Sequence, residues 1–393
     1  MTASAPVARV GELERRYLSG TFAELCRIES PSGHERGCAE RVIAELRALG
    51  VKVQEDGAGP LVGSDCGNLL ARIPGSSPGG ETQSVLLCAH LDTVPLDALI
   101  EPVLIDGGWE NANDGILGAD NKAAVAVLLA LARHIRQQGA PVDVELLFTV
   151  GEETALAGVR AFDIASLRSD FGFVFDHASP IGEVVIDSPT HFRVQVSFRG
   201  AAAHAGIRPE QGRSAILAAS RAVTSLQLGR LDAYSTVNVG TISGGTAMNV
   251  VPESCSLVLE ARALGEERAD EIVAEIVDRI HQAANLADCD CDVDIAVQRT
   301  FSGYHLPPSS PAVRAAERAL RACGHEPLRI ASGGASDANA LIAQGMQIVN
   351  MANGTERNHE PTERVSVIAL EQMLDVALAL LDEAAALAPG AAL

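Results

Sequence analysis

The chain has 393 residues and a formal net charge of -21, from 51 acidic against 30 basic side chains. That excess opposes binding to nucleic acid or anionic membranes, and aromatics at 3% leave no stacking platform for single strands. The length exceeds what one ordinary core organises, so two domains are expected, and 47% hydrophobic residues with 36 glycines fit a folded α/β protein.

In chain order, residues 15–29 read as an amphipathic helix that "SPSGHE" breaks, and a second helix follows over 36–49. Apolar strand-like runs come at 85–89, 144–150 and 172–175. Between the first two, "NKAAVAVLLALARHIRQQG" reads as a helix closed by Gly139. Strands alternating with helices predict a mostly parallel, mixed sheet flanked by helices. The pattern changes near Ser188. Strand 191–198, helix 214–226, strands 236–242 and 254–262, helix 266–287 and strand 291–297 give the order β-α-β-β-α-β, which is ferredoxin-like. Segments at 311–322, 327–344, 347–354 and 367–387 return to α/β alternation. The expected organisation is therefore a first domain over 1–187, an inserted α+β domain over 188–302, and the rest of the first domain over 303–393. Only the alanine-rich tail after residue 387 reads as loose.

The eight cysteines form no CxxC, and Cys289-x-Cys291 is too close for a zinc knuckle. They read as buried thiols in a reducing compartment. No apolar stretch reaches the length of a signal-peptide core near the N-terminus or of a membrane span elsewhere. A cytoplasmic location is the expectation.

Chemistry-bearing residues collect where strands end. The strand at 85–89 runs into "HLDTVP", with His90 and Asp92 two apart, so Asp92 can hold the His90 imidazole in one tautomer. In "GILGADNKAAVAV", Asp120 precedes a helix, where a plain N-cap would also explain it. "FTVGEETALAG" places Glu152 and Glu153 side by side after an apolar strand, and adjacent side chains of extended backbone diverge. One carboxylate can then bind an ion while the other faces a substrate or a water. Asp176 ends "GFVFD", and His359 lies in "NGTERNHEPTERV" beyond the run "MQIVN". Taken singly each has a mundane explanation. Together, two histidines and several carboxylates at the carboxyl ends of strands suit zinc or a related divalent ion, with two metals sharing a bridging carboxylate.

With these segments in view, the sequence resembles the co-catalytic zinc metallopeptidases that include peptidase T, glutamate carboxypeptidase and the acylamino-acid deacylases. The motifs "LLCAHLDTVP", "GADNKAAVAVLL", "FTVGEETALAGVRAFD", "GAAAHAGIRPEQGRSAI", "GGTAMNVVPESCSLVLEAR" and "NHEPTERV" occur in the family's order over nearly the whole chain. "ILGAD-x-KA" and "HAG-x-x-PE-x-G" look most like the peptidase T-like branch. The resemblance implies a catalytic α/β domain with an inserted lid that dimerises. It implies two divalent metal ions per subunit, zinc first with Co2+ or Mn2+ as alternatives: His90 and Asp176 on one, Glu153 and His359 on the other, and Asp120 bridging. Asp92 would orient His90 and Glu152 would be the general base. In the lid, His204, Asn249 and Arg262 match substrate-contact positions, with His204 acting in its own subunit or across a homodimer. The substrate implied is a short peptide, cleaved as a tripeptide aminopeptidase does, or an N-acyl amino acid cleaved by a carboxypeptidase or deacylase. A non-catalytic metal-binding dimer scaffold is the alternative from another class; relatives of that kind would lack a ligand or the base, and here all are present. Asn121 stands where many relatives carry Asp or Gly, at a position that is not a ligand. The loop "ASGGASDAN" matches a substrate-facing loop and lacks the lysine of a P-loop. His34, His134, His191, His281, His305 and His325 match no motif.

Overall fold

The computed structural model describes residues 10–76 and 83–387; the alanine-rich tail lies outside them. The chain divides into two compact units. One runs to Ile186, resumes over Leu306–Ser332 and continues from Ser336; the other comprises Asp187–His305 with Gly333–Ala335. The second unit therefore starts one residue earlier and ends three residues later than the sequence suggested, and it takes in part of the "ASGGASDAN" loop.

The first unit is built on a mixed sheet. Its centre is four parallel strands in the order Asp143–Thr149, Ser84–His90, Phe171–His177 and Gln347–Ala352. Leu69–Ile73 and Val53–Glu55 extend one side antiparallel, and Glu183–Ser188 pairs antiparallel on the other. Every residue of Ser84–His90 is buried. Such a strand is covered on both faces, which is why its sequence shows a continuous apolar run instead of alternation. Burying each of Val85, Leu86 and Leu87, all 0% exposed, stabilises the fold by about 1.5–3 kcal/mol. Helix Ala119–Gln138 is apolar nearly all round and ends at Gly139, whose φ of +90° favours glycine. Glu12–Cys26 and Val367–Ala385 pack against it. Among the described residues no helix is long and apolar enough to cross a membrane.

A four-stranded sheet of very short strands was not visible in the sequence. It orders Thr355–Glu356, Arg364–Ser366, Gly108–Asn111 and Pro102–Ile105, with Val365 opposite Trp109. Strands of two to four residues are too short for a period to show. This sheet fixes both ends of the loop that carries His359.

The second unit is a five-stranded antiparallel sheet in the order Gly229–Asp232, Ser235–Gly244, Ser254–Ala263, Thr190–Arg199, Asp292–Phe301. Burial alternates strictly along Thr190–Arg199, because helices Ala215–Ser225 and Glu266–Ala284 cover one face only. The expected ferredoxin-like order is present, with the Gly229–Asp232 strand added at one edge.

Candidate active site

The four parallel strands end on one edge of the sheet, and the polar residues singled out in the sequence extend from those ends. His90 is the last residue of its strand and pairs in register with Thr149 of the neighbour. After Thr149 the chain turns at Gly151, which has φ +61°. The strand ends at Thr149, so Glu152 and Glu153 lie in a turn and not on a continuing pleat. Asp92 ties the turn to the His90 strand: its Oδ1 accepts from Glu152 N–H at 3.0 Å and its Oδ2 from Glu153 N–H at 3.1 Å and Ser32 Oγ at 2.6 Å. Asp176 is held by Asn350 on the adjacent strand, which accepts from its N–H at 3.0 Å and donates Nδ2 to its carbonyl at 3.1 Å.

His90 sits among the acids almost without exposure. Its Nδ1 lies 3.0 Å from the backbone oxygen of Asp92 and 3.4 Å from Asp92 Oδ1. Donating the Nδ1 proton there leaves Nε2 with a free lone pair, the tautomer a metal requires. Nε2 faces Asp120 Oδ1 at 3.2 Å and Asp176 Oδ1 at 3.4 Å. Asp120 is not capping its helix: it has non-helical φ and ψ of -82° and 107°, and no side-chain cap bond is made. Its second oxygen, Oδ2, faces His359 Nε2 at 3.3 Å and accepts from Asn358 Nδ2 at 2.8 Å. His359 Nε2 also meets Glu153 Oε1 at 2.8 Å. His359 has φ +66°; for a residue with a Cβ this conformation costs roughly 1–3 kcal/mol and persists where surroundings enforce it.

Two overlapping groups emerge, His90 with Glu152 and Asp176, and His90 with Asp120 and Glu153, each with potential ligand atoms within 4.8 Å of one another. The electrostatics match an acidic cage. Burial pulls the His90 pKa down, but the charge of Asp176 and the hydrogen bonds His90 donates to Asp120, Asp176 and Asp92 outweigh it and raise it well above the ordinary value. Burial, then the charge of Asp176, pushes Glu152 well up. Burial likewise pushes Asp176 well up. Asp120 is held low, since its bonds to His359 and His90 overcome burial. Hydrogen bonds to Asp120 and Glu153 raise His359 to about 10. A cage of buried carboxylates around two histidines suits divalent cations, whose hard and borderline ligands are these oxygens and imidazoles.

A family model for a peptidase dimerisation domain matches residues 190–287, and one for peptidase family M28 matches residues 68–179. The crystal structure of aminopeptidase PepT from Bacillus cereus ATCC 10987 is 31% identical, covers 94% of this chain and 99% of that one, and superposes with a TM-score of 0.85. The chain belongs to the co-catalytic metallopeptidases, in their peptidase T-like branch. A tripeptidase from Staphylococcus aureus subsp. aureus Mu50 is 29% identical over 95% of this chain and 99% of that one, with a TM-score of 0.89. The uncharacterized protein YqjE of Bacillus subtilis (strain 168) is 31% identical over 373 residues, 95% of this chain and 99% of that one.

As a peptidase T-like metallopeptidase, the chain brings His90, Asp92, Asp120, Glu152, Glu153, Asp176 and His359 together in its first unit. The other three sequence candidates lie in the second unit. His204 and Asn249 are exposed on neighbouring loops joined by the bond from Ala205 N–H to the Asn249 carbonyl at 2.9 Å. Arg262 is half-buried, paired with Glu260 at 3.0 Å and donating to the Gly333 carbonyl at 3.0 Å.

Sequence reasoning missed the residues behind the site. Asp337, 1% exposed, accepts from Thr149 Oγ1 at 2.5 Å, and burial pushes its pKa to about 6. Glu35, fully buried, accepts from Gly151 N–H at 3.1 Å and Ser64 Oγ at 2.7 Å. Glu363 accepts three backbone N–H bonds from the turn leading to Asp120, and burial pushes its pKa to about 7. The one available signal was position: Asp337 and Glu363 both lie in motifs already singled out, "ASGGASDAN" and "NHEPTERV".

Proposed function

We propose that this metallopeptidase is a cytoplasmic, homodimeric enzyme that uses two divalent ions, zinc first, to hydrolyse the amino-terminal peptide bond of short peptides, tripeptides in particular. The observation that carries the two-metal reading is the division of the Asp120 carboxylate, Oδ1 toward His90 and Oδ2 toward His359. One carboxylate whose two oxygens each face a different imidazole is the arrangement a bridging ligand would need. In this reading His90 and Asp176 hold one ion, Glu153 and His359 the other, and Asp92 orients His90. The tripeptide preference is supported by likeness to the staphylococcal tripeptidase along the whole chain. The first unit is taken as the catalytic domain and the second as the lid through which the dimer forms, supported by the match to a dimerisation domain. Eight free cysteines support a reducing, cytoplasmic setting.

Bound divalent ions supply Lewis acidity toward water and toward the scissile carbonyl. A Glu152 carboxylate oxygen takes a proton from the attacking water and returns it to the departing amine nitrogen. Without metal, burial and the charge of Asp176 raise the proton affinity of Glu152; bound divalent ions would offset that charge and favour the carboxylate form that accepts the proton. Asp92 holds the backbone of residues 152 and 153 while its own backbone oxygen orients His90. The same reading gives substrate contacts to His204, Asn249 and Arg262, with His204 donating to the developing oxyanion and Arg262 pairing a substrate carboxylate.

The test is Glu152→Gln assayed on di- and tripeptides beside acetyl-amino acids. The variant is expected to keep its metal and lose roughly 100- to 10,000-fold in turnover. A metal-loaded variant with near-normal rate refutes the role of Glu152, and wild-type preference for acetyl-amino acids refutes the peptide substrate.

A further inference from the structure

The turn that presents Asp120 has a buried carboxylate behind it that the hydrolysis above does not use. Glu363 is 1% exposed, and its partners are backbone amides. Leu117 and Gly118 N–H each donate to Oε2 at 2.8 Å, and Asp120 N–H donates to Oε1 at 2.9 Å. Gly118 has φ +73°, a left-handed residue that lets successive N–H groups converge into an anion-binding nest. A buried carboxylate without donors is costly; here the nest satisfies it.

The donors and acceptor are 243 to 246 residues apart in sequence, so this is a docking contact and not a local cap. The segment that brings Glu363 also brings His359, four residues earlier, and Asn358, whose Nδ2 reaches Asp120 Oδ2 at 2.8 Å. One loop therefore grips Asp120 at its backbone N–H and at its carboxylate. The small sheet anchors that loop, since Arg364, next to Glu363, pairs with Glu110.

We propose that Glu363 is a positioning residue for the metal pair. It fixes the Asp120 turn so that both carboxylate oxygens face their histidines at once, and it docks the His359 loop onto that turn. This rests on the two-metal reading above. A carboxylate is required because the three N–H donors fall on both oxygens. An amide has one oxygen and turns its own N–H toward whichever donor remains.

Metal-free full-length protein is titrated with Co2+, reading stoichiometry by calorimetry and ligand geometry by visible absorbance. In Glu363→Gln the first equivalent is expected to bind within about threefold of wild type and the second about 10- to 100-fold more weakly. The spectrum per bound cobalt changes with it. Glu363→Asp, which keeps two acceptor oxygens, recovers part of the loss. The melting midpoint should fall more in the cobalt-loaded than in the metal-free variant. Two wild-type affinities in Glu363→Gln overturn the proposal while leaving the two-metal reading intact. An equal fall of the metal-free and loaded midpoints also overturns it, since that marks a purely structural role. If Glu363→Gln does not fold, Glu363→Ala, which empties the nest for water, takes its place, and two wild-type affinities in it overturn the proposal. A wild-type protein that takes up fewer than two Co2+ overturns both readings.

Discussion

Replacing Asp92 with Asn removes a charge while keeping shape, and the structure sets the expected cost. The side chain is 0% exposed and accepts from Glu152 N–H, Glu153 N–H and Ser32 Oγ. Asn has one acceptor oxygen. With that oxygen in the Oδ1 place Glu153 N–H loses its acceptor; with it in the Oδ2 place Glu152 N–H does. Ser32 can rotate to accept from the amide, but a backbone N–H cannot. Either orientation leaves one buried donor unsatisfied, worth about 1–3 kcal/mol, and weakens the surviving bonds from charged to neutral, roughly another 1 kcal/mol each. The sum, about 2–5 kcal/mol, is a large part of a typical domain stability of about 5–15 kcal/mol. Because Asp92 also contacts the His90 imidazole, metal affinity should fall about 10- to 100-fold. Thermal and urea unfolding of the metal-free variant gives the first number and metal titration gives the second. Loss of less than 0.5 kcal/mol with unchanged metal affinity would refute the reasoning that Asp92 holds the turn and the histidine together.

Three further outcomes follow from the same geometry. In the metal-free protein, Asp120 and Glu153 hold His359 at about 10, above an ordinary histidine near 6.5. Its stabilisation is therefore complete below about pH 6.5 and lost as pH rises through about 10, so the metal-free melting midpoint should fall over that window. Metal uptake near pH 7.5 should then release a proton from His359, measured as calorimetric heats that differ between buffers of different ionisation enthalpy; buffer-independent heats would contradict it. Gly158→Ala should destabilise by about 1–3 kcal/mol, because an added Cβ would meet the Val150 carbonyl oxygen at 2.0 Å and Asn68 Oδ1 at 2.8 Å. A melt within 1 °C of wild type would show that the turn after Val150 can shift freely.

The chain's local order was legible in its residues. The continuous apolar runs around Leu86, Leu146 and Phe173 became the buried parallel strands, since burial on both faces removes alternation. The strict alternation of Thr190–Arg199 marked a sheet covered on one side. Residues at the strand ends could be named because a parallel sheet gathers its carboxyl ends on one edge. The extended backbone expected at Glu152 and Glu153 is not present: the strand ends at Thr149 and both residues lie in the turn that follows Gly151.

What the sequence by itself determined is which residues end the strands, and with them the acids and histidines available for chemistry, because hydrophobic period and chain direction are local properties. What only the tertiary structure decided is which atom meets which. Glu153 and His359 are 206 residues apart, and Glu363 reaches the Asp120 turn across a similar span. Strand order and the small sheet set those distances, and no spacing along the chain encodes them. The division of Asp120 between two histidines, and the nest that Glu363 fills behind it, exist only once the packed sheet has brought the loops onto one edge.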